Sequence, residues 1–253
     1  MSDMQPAIVP ETKPGLTQLQ RVTSIFSAPT KTFTEIRDGK RSWWLPFILM
    51  VVFSYLLFAV VATKVGMQQV TENQIRLNPA QAERMEQVPA EQRATSMKFA
   101  TIFTEAIFLA NPLLVLGGIA LFSLGLMATI NFGFGGKAKF GSVFAMWMYA
   151  GLPGLVKVIL GILVVFAGTA PESFNIKNYA PTNIGAFLNP ADTNKVLYAL
   201  ASSLDVVTIW SMIVLGIGIA TVAGVKRGSG YIAVFGWWIL FVLVGVGIAA
   251  VTG

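Results

Sequence analysis

The sequence contains no cysteine and no histidine. The lack of cysteine excludes disulfides, thiolate zinc sites, iron–sulfur clusters and cysteine nucleophiles. The lack of histidine removes the commonest general base and the commonest transition-metal ligand. The chain also has no Walker sequence, no nucleotide-binding fingerprint and no Asp/Glu cluster suited to a metal. We therefore expect a protein that is not an enzyme and that needs no metal or cofactor.

Charge is also scarce in this chain. Only 12% of the residues are charged, 55% are hydrophobic, and the mean hydropathy is +0.68. An average soluble domain is about 25% charged. A chain with so little charge cannot cover a surface that faces water, so the composition predicts an integral membrane protein. The net charge of +6 is explained by basic residues beside apolar stretches, and we expect no nucleic-acid partner.

Long apolar stretches determine the predicted fold. A helix of about 20 apolar residues crosses the roughly 30 Å hydrocarbon core of a bilayer. Stretches of this kind cover 43–63, 102–132, 142–168, 204–224 and 231–251. The sequence therefore predicts an all-α polytopic membrane protein, a bundle of five transmembrane helices within a membrane domain at 43–253.

Two segments precede this domain. Residues 1–15 are polar and proline-containing, and we expect a disordered tail there. Residues 16–42 carry apolar side chains at near-helical spacing, which predicts a broken amphipathic helix at the interface of the inner leaflet. Packing against the cytoplasmic ends of the spans explains the same pattern equally well. The residues predicted to form the inner-leaflet interface are Phe26, Pro29, Phe33, Ile36, Lys31, Arg37, Lys40 and Arg41. Within this segment we expect Ser27 to cap a second helix that has Pro29 in its first turn.

The distribution of basic residues predicts the orientation. Lys and Arg precede span one, lie between spans two and three, and lie between spans four and five. These residues are Lys31, Arg37, Lys40, Arg41, Lys137, Lys139, Lys226 and Arg227. Since cytoplasmic loops carry an excess of Lys and Arg, we expect a cytoplasmic N-terminus and an external C-terminus. The expected location is a bacterial cytoplasmic membrane.

The third span, YAGLPGLVKVILGILVV, contains both a proline and a charge. Lys157 lies about ten residues, roughly 15 Å, from the outer end of the span. A charge at this depth costs several kcal/mol unless it is paired or hydrated. Pro153 is a predicted helix break in this span, and Pro112 a predicted break in span two.

Polar residues at a similar depth are the possible partners of Lys157. Spans two and four both run inward, and Glu105 and Asp205 lie near their starts. Asn111 follows Glu105 by about two turns. We expect Lys157, Asp205, Glu105 and Asn111 to form an intramembrane polar cluster, in which Lys157 pairs with either Asp205 or Glu105. The cluster is either a device that fixes helix packing or the lining of a polar path.

Three phrases of the sequence occur in an order that resembles a known family. They are FSAPTKTFTEI followed by WWLP, then YAGLP, then LDVVTIWSMIVLGIGIATVAGVKRG. The chain resembles the Yip family, multi-pass membrane proteins named for interaction with Ypt/Rab-type GTPases, and in particular its prokaryotic branch. The long N-terminal region and the Asp-Leu-Tyr-Gly-Pro phrase of eukaryotic members are missing. The resemblance implies five spans, a cytoplasmic N-terminus and a partner such as an export-type ABC transporter.

We therefore expect a non-enzymatic integral membrane scaffold or accessory protein. It would support a membrane transport complex or organise the bilayer, with the lipid bilayer and a membrane protein as partners. Small-residue stretches in spans two, four and five leave a homo-oligomer open. The alternative is a small-molecule or ion transporter with a polar site around Lys157, Asp205 and Glu105.

Overall fold

The computed structural model describes residues 15–252, so the predicted tail at 1–15 lies almost wholly outside the described residues. The chain is mostly α-helical, with short 3₁₀ turns in the segment between spans three and four. The helices are α1 (Gln18–Ser27), α2 (Pro29–Arg37), α3 (Trp44–Lys64), α4 (Met67–Arg76), α5 (Pro79–Glu86), α6 (Ala90–Phe134), α7 (Phe140–Ala150), α8 (Gly154–Phe166), α9 (Lys195–Ser203), α10 (Val206–Ala223) and α11 (Arg227–Thr252).

Within residues 15–252, five helical stretches are long and apolar enough to cross a membrane. They are Trp44–Lys64, Ala90–Phe134, Phe140–Phe166, Val206–Ala223 and Arg227–Val251. Large apolar side chains on their outward faces are exposed, as expected where hydrocarbon replaces water as the solvent. The predicted all-α polytopic bundle of five spans is confirmed.

Helix α10 lies at the centre of the bundle. It packs against α2, α7 and α11, and it is the most buried of the described spans, whereas α11 is the least buried. The core around α10 contains Phe33, Ile130, Met146, Tyr149 and Ile219, all fully buried. Loops join the spans by alternating between the two ends of the bundle, so α3, α7 and α11 begin at the same end.

The two prolines have different effects on their spans. Span three is interrupted where α7 ends at Ala150, and α8 starts directly after Pro153. The predicted break at Pro112 is wrong, because α6 continues through it without interruption from Ala90 to Phe134. Proline removes a single N–H from the ladder, and a neighbouring helix can supply polar partners nearby. Pro112 leaves the Phe108 carbonyl without its helical donor. Next to it, the Tyr55 hydroxyl of α3 donates to the Leu109 carbonyl at 2.9 Å.

Helices α1 and α2 form a helical hairpin, called here the N-terminal hairpin, that packs on α10 and α7. Thr17 starts α1 with a capping box to Gln20. Ser27 does not cap α2 as predicted, because it still belongs to α1 and Ala28 occupies the cap position before Pro29. The chain therefore reverses one residue later than expected.

The N-terminal hairpin corrects part of the predicted inner-leaflet interface. Phe33 and Ile36 are fully buried among the spans, so they cannot contact the leaflet. The reason is a close helix approach, since a Cβ at Gly218 would lie 3.0 Å from the Phe33 ring and 2.7 Å from Met146. Glycine at 218 thus makes room for the ring. The residues of the predicted interface that remain exposed are Phe26, Lys31, Arg37, Lys40 and Arg41, while Pro29 is half-buried.

The segment between spans three and four, residues 167–205, folds over the end of the bundle opposite the N-terminal hairpin. Following the predicted orientation, that end is called here the outer end, the hairpin end the inner end, and the segment the outer loop. It contains 3₁₀ turns at Pro171–Ser173, Ile176–Asn178 and Ile184–Phe187. Its last element, α9, is capped by Asn194 and packs on α11. The loop then leads into α10 at Asp205.

Candidate functional site

An ion pair lies where the outer loop meets the spans. Lys157 Nζ is 2.8 Å from Asp205 Oδ2. The Thr182 hydroxyl donates to the same oxygen at 2.5 Å, and the Asn183 side-chain amide donates to it at 3.4 Å. These four residues are called here the outer polar cluster. It joins α8, the outer loop and the start of α10 through one carboxylate.

The backbone holds Asp205 in place. Asp205 is the N-cap of α10, and its Oδ1 accepts a hydrogen bond from the Thr208 N–H at 2.8 Å. An isolated antiparallel bridge pairs Asn183 with Asp205, and the Val206 N–H donates to the Thr182 carbonyl at 2.9 Å. Capping is why an acidic residue suits this position. Both carboxylate oxygens are therefore engaged.

The outer polar cluster is largely shielded. The Asp205 side chain is 4% exposed and that of Lys157 is 23% exposed. The Tyr179 ring lies over the ammonium, with its centroid 5.9 Å from Nζ. Tyr179 approaches α8 at Gly161, where a Cβ would be only 2.3 Å from the ring. The lysine stem is thus held between α8 and the outer loop.

The surroundings of Asp205 decide its ionisation. Burial alone would raise the pKa of this carboxyl, which lies just before span four. Hydrogen bonds from Lys157, Thr182 and the Thr208 N–H, together with the lysine charge, instead hold that pKa well below its ordinary value. Burial and the neighbouring Asp205 charge raise the pKa of Tyr179. Asp205 is therefore an anion at neutral pH.

The structure brings together only two of the four residues predicted to form a polar cluster. Lys157 pairs with Asp205 and not with Glu105, which is half-buried on α6 and makes no ion pair within residues 15–252. Asn111 donates to the Ser54 hydroxyl at 2.8 Å instead. The expected convergence of all four is wrong because this part of α6 packs against α3 rather than against α8.

The sequence did not point to the other members of the outer polar cluster. Thr182 and Asn183 belong to an irregular loop without hydrophobic periodicity, and nothing in their local pattern marks them as partners of Asp205. The one usable signal was the N-cap position of Asp205 before an apolar run, which fixes where α10 begins.

A second polar cluster lies at the N-terminal hairpin. Arg21 Nε is 2.9 Å from Glu35 Oε2, and Lys40 Nζ is 3.0 Å from Glu35 Oε1. The Leu16 N–H also donates to Glu35, and Arg21 donates to the Lys40 carbonyl at 3.0 Å. These residues, Leu16, Arg21, Glu35 and Lys40, are called here the inner polar cluster. Arg21 is buried, so its charge depends on these contacts.

The inner polar cluster also perturbs its carboxyl. Burial would raise the pKa of Glu35, but the Leu16 N–H, Lys40 and Arg21 together lower it below its ordinary value of 4.5. Nearby, the Tyr149 hydroxyl lies 2.7 Å from Gln18 Oε1 and 3.0 Å from the Ser42 carbonyl. Span three is thereby linked to both α1 and the start of span one.

A cavity of about 490 Å³ lies between α3, α6 and α8. Its walls are mainly apolar, and its polar lining includes Ser54, Asn111, Tyr179 and Lys177. Neither Lys157 nor Asp205 lines it. Across the described part of the chain, no group of three or more Asp and Glu side chains is placed to hold a metal ion.

Five apolar spans, with two ion-paired clusters that attach adjoining segments to the bundle, define a multi-pass helical membrane protein. Comparison with protein families gives a match to the Yip1 domain over residues 23–249 of the 253. The chain therefore belongs to the Yip1 domain family. Searches among curated proteins and among solved structures gave no match.

Proposed function

We propose that this protein is a non-enzymatic integral membrane scaffold or accessory subunit that supports the assembly or activity of a membrane transport complex. The observation that carries the proposal is how the charge of Lys157, within span three, is neutralised. The Lys157 ammonium is bound by a carboxylate that also accepts bonds from Thr182, Asn183 and Thr208. Such a pair fixes the outer loop on the bundle, which is a structural task.

A transporter that uses Lys157 and Asp205 for a solute fits this geometry less well. Both carboxylate oxygens already have donors, and the pair does not line the cavity between α3, α6 and α8. Glu105, the third residue of that alternative, lies apart from them. Binding a solute at Asp205 would therefore require the loop attachment to be broken first.

The proposed partner is a membrane protein, with an export-type ABC transporter as the first candidate. The proposed location is a bacterial cytoplasmic membrane with the N-terminal hairpin on the cytoplasmic side. Exposed basic residues at the end of the bundle where α3 begins support this orientation. They are Lys31, Arg37, Lys40 and Arg41.

The test combines purification and transport. The protein is tagged, expressed in a bacterium, purified in a mild detergent, and examined for a stoichiometric membrane-protein complex by native mass spectrometry. A double variant, Lys157→Met with Asp205→Asn, removes both charges together while avoiding an unpaired buried ion. We expect the complex to persist in this variant, because the pair serves packing and not solute binding.

The contrary outcome is equally defined. If the purified protein alone, reconstituted in vesicles, carries an ion or small molecule, and the double variant stays folded but loses that flux, the scaffold function is wrong. A tag at each end, tested for accessibility from outside intact spheroplasts, checks the orientation. Both tags reporting the same side would contradict the five-span topology.

A further inference from the structure

The cavity between α3, α6 and α8 has a graded polarity along its length. Ser54 lies ten residues after Trp44, about 15 Å along α3, which is near the middle of a roughly 30 Å hydrocarbon core. Gln74, from α4, and Lys177, from the outer loop, lie at the opposite end of the cavity. The cavity therefore runs from the bilayer centre toward the outer headgroups.

The walls between these ends are apolar. Phe108, Leu155 and Val158 line the cavity, and Ile107 at its edge is also exposed on the surface of α6. Helix α3 packs along α8, whereas α6 makes little contact with α8, so a gap remains between the helices. Because this gap reaches an exposed apolar residue within a span, it opens toward lipid rather than only toward water.

The length of the cavity suits a chain-like occupant. Thr104 and Val115 both line it, and eleven positions of α6 correspond to about 16 Å. Its volume of about 490 Å³ falls in the range of small-molecule sites, roughly 300–1,000 Å³. A cavity of this size and length, open to the surrounding lipid, accommodates one acyl chain.

The outer end of the cavity carries a positive charge. Lys177 is exposed and makes no ion pair with any residue from 15 to 252. Gln74 and Tyr179 add polar groups at that end. Together these side chains fit a phosphate headgroup, since a lysine near a membrane surface attracts anionic lipid by about 1 kcal/mol.

We propose that this cavity binds one anionic glycerophospholipid of the outer leaflet. Its phosphate lies at Lys177, and one acyl chain lies between α6 and α8 with its end near the Ser54–Asn111 hydrogen bond. The bound lipid fills the gap between spans one, two and three. This site adjoins the outer polar cluster at Tyr179 but contains none of its four residues. It does not depend on the proposed scaffold function.

Gly154 provides a direct test of the acyl-chain site. It lines the cavity, and a Cβ added there would meet nothing within 4 Å, so Gly154→Leu adds an apolar side chain at the cavity wall from an unobstructed Cβ. Gly117→Leu is the matched control, because Gly117 also faces open space but lies outside the cavity. The purified protein is titrated with phosphatidylglycerol or phosphatidylcholine in non-ionic detergent, and lipid adducts are counted by native mass spectrometry.

We expect a one-to-one adduct with phosphatidylglycerol that Gly154→Leu abolishes and Gly117→Leu retains. Lys177→Gln tests the headgroup separately, at an exposed position where folding is not at risk. Its expected effect is about fivefold weaker binding, the equivalent of about 1 kcal/mol. Lys98→Gln, an exposed lysine on α6 away from the cavity, should leave binding unchanged.

Three results would overturn the proposal. The first is an adduct that survives in Gly154→Leu. The second is equal binding of phosphatidylcholine and phosphatidylglycerol with no effect of Lys177→Gln. The third is retention of oleate but not of phosphatidylglycerol, which would assign the cavity to a free fatty acid instead of a phospholipid.

Discussion

The two polar clusters both attach an adjoining segment to the bundle, but they are built on different supports. The outer polar cluster depends on one carboxylate, Asp205, which receives donors from α8, the outer loop and the first turn of α10. The inner polar cluster lies beside an apolar contact, with Phe33 and Ile36 buried against α7 and α10. The outer loop is thus fixed to the start of span four by a single carboxylate, while Phe174 gives the loop a separate apolar contact with the bundle. At the N-terminal hairpin, the charged contacts lie directly beside the hydrophobic packing.

The largest effect is expected for Asp205→Ala. The change leaves Lys157 without a counter-ion, removes the cap of α10 and frees Thr182. Removing one partner of a buried pair costs about 3 kcal/mol or more. Thermal unfolding in detergent, followed by tryptophan fluorescence, should show a clear fall in Tm.

Two further variants test the cause of this fall in Tm. Asp192→Ala, at an exposed loop position, should leave Tm unchanged. Lys157→Met combined with Asp205→Asn should recover part of the loss, because no unpaired charge remains. A double variant as unstable as Asp205→Ala would mean that capping and loop bonds, and not the ion pair, dominate the cluster.

A smaller loss is expected for Glu35→Gln. Glu35 accepts bonds from Leu16, Arg21 and Lys40, and its side chain is 16% exposed. Hydrogen bonds to a charged group contribute about 2 kcal/mol. Because Phe33 and Ile36 still hold the N-terminal hairpin, we expect lower protection of residues 18–37 in hydrogen exchange while the spans stay protected.

Arg37→Gln is the control for Glu35→Gln, since the Arg37–Asp38 pair is exposed and contributes little. If Glu35→Gln lowers protection throughout the bundle, and not only over residues 18–37, the contrast between the two clusters is wrong.

Acid should loosen the N-terminal hairpin by a similar or smaller amount. The folded-state pKa of Glu35 lies below its ordinary value of 4.5, so this carboxylate stabilises the fold above that pH and the contribution is lost as the pH falls through the lowered pKa. The chain has no cysteine, so a spin label on Leu19→Cys reports on the hairpin alone. Its mobility should rise between pH 5 and more acidic values, and the rise should be absent in Glu35→Gln.

The smallest effect is expected for Tyr149→Phe. The variant keeps the fully buried ring and removes only a hydroxyl that contacts Gln18 and Ser42. The expected loss is about 1 kcal/mol. Tyr231→Phe is the matched control, because its hydroxyl makes no hydrogen bond to residues 15–252. Equal effects of the two variants on Tm would show that the link between span three and the hairpin adds nothing.

The contrast between the clusters also explains what the sequence could predict. Lys157 is conspicuous because it interrupts an apolar run, and its cost in hydrocarbon demands a nearby acid. The number of spans and the depth of each residue in the membrane left Asp205 and Glu105 as the two possible partners of Lys157. By contrast, Arg21 and Glu35 lie in a polar, amphipathic segment where charged residues are expected on a hydrated face. Their burial follows from where the hairpin packs, which no local pattern encodes.

The wrong predictions for Pro112, Glu105 and Asn111 also depend on how the helices pack. Pro112 has the residue type of a helix break, yet the effect of proline depends on neighbouring helices that can supply polar partners. Glu105 and Asn111 have suitable depths, but depth does not fix the rotation of α6 about its own axis. The number of spans depends on composition along the chain and was predictable, whereas pairings depend on angles between helices.

The length of α6 has a mechanical consequence. Its 45 residues extend for about 67 Å, well beyond the roughly 45 Å of a bilayer with its headgroups. Because α6 is continuous through Pro112, its overhang at Ala90 and its membrane-embedded half belong to one helix. A displacement of α6 at Ala90 would therefore be transmitted along the same helix to Phe134 at the other end of the bundle.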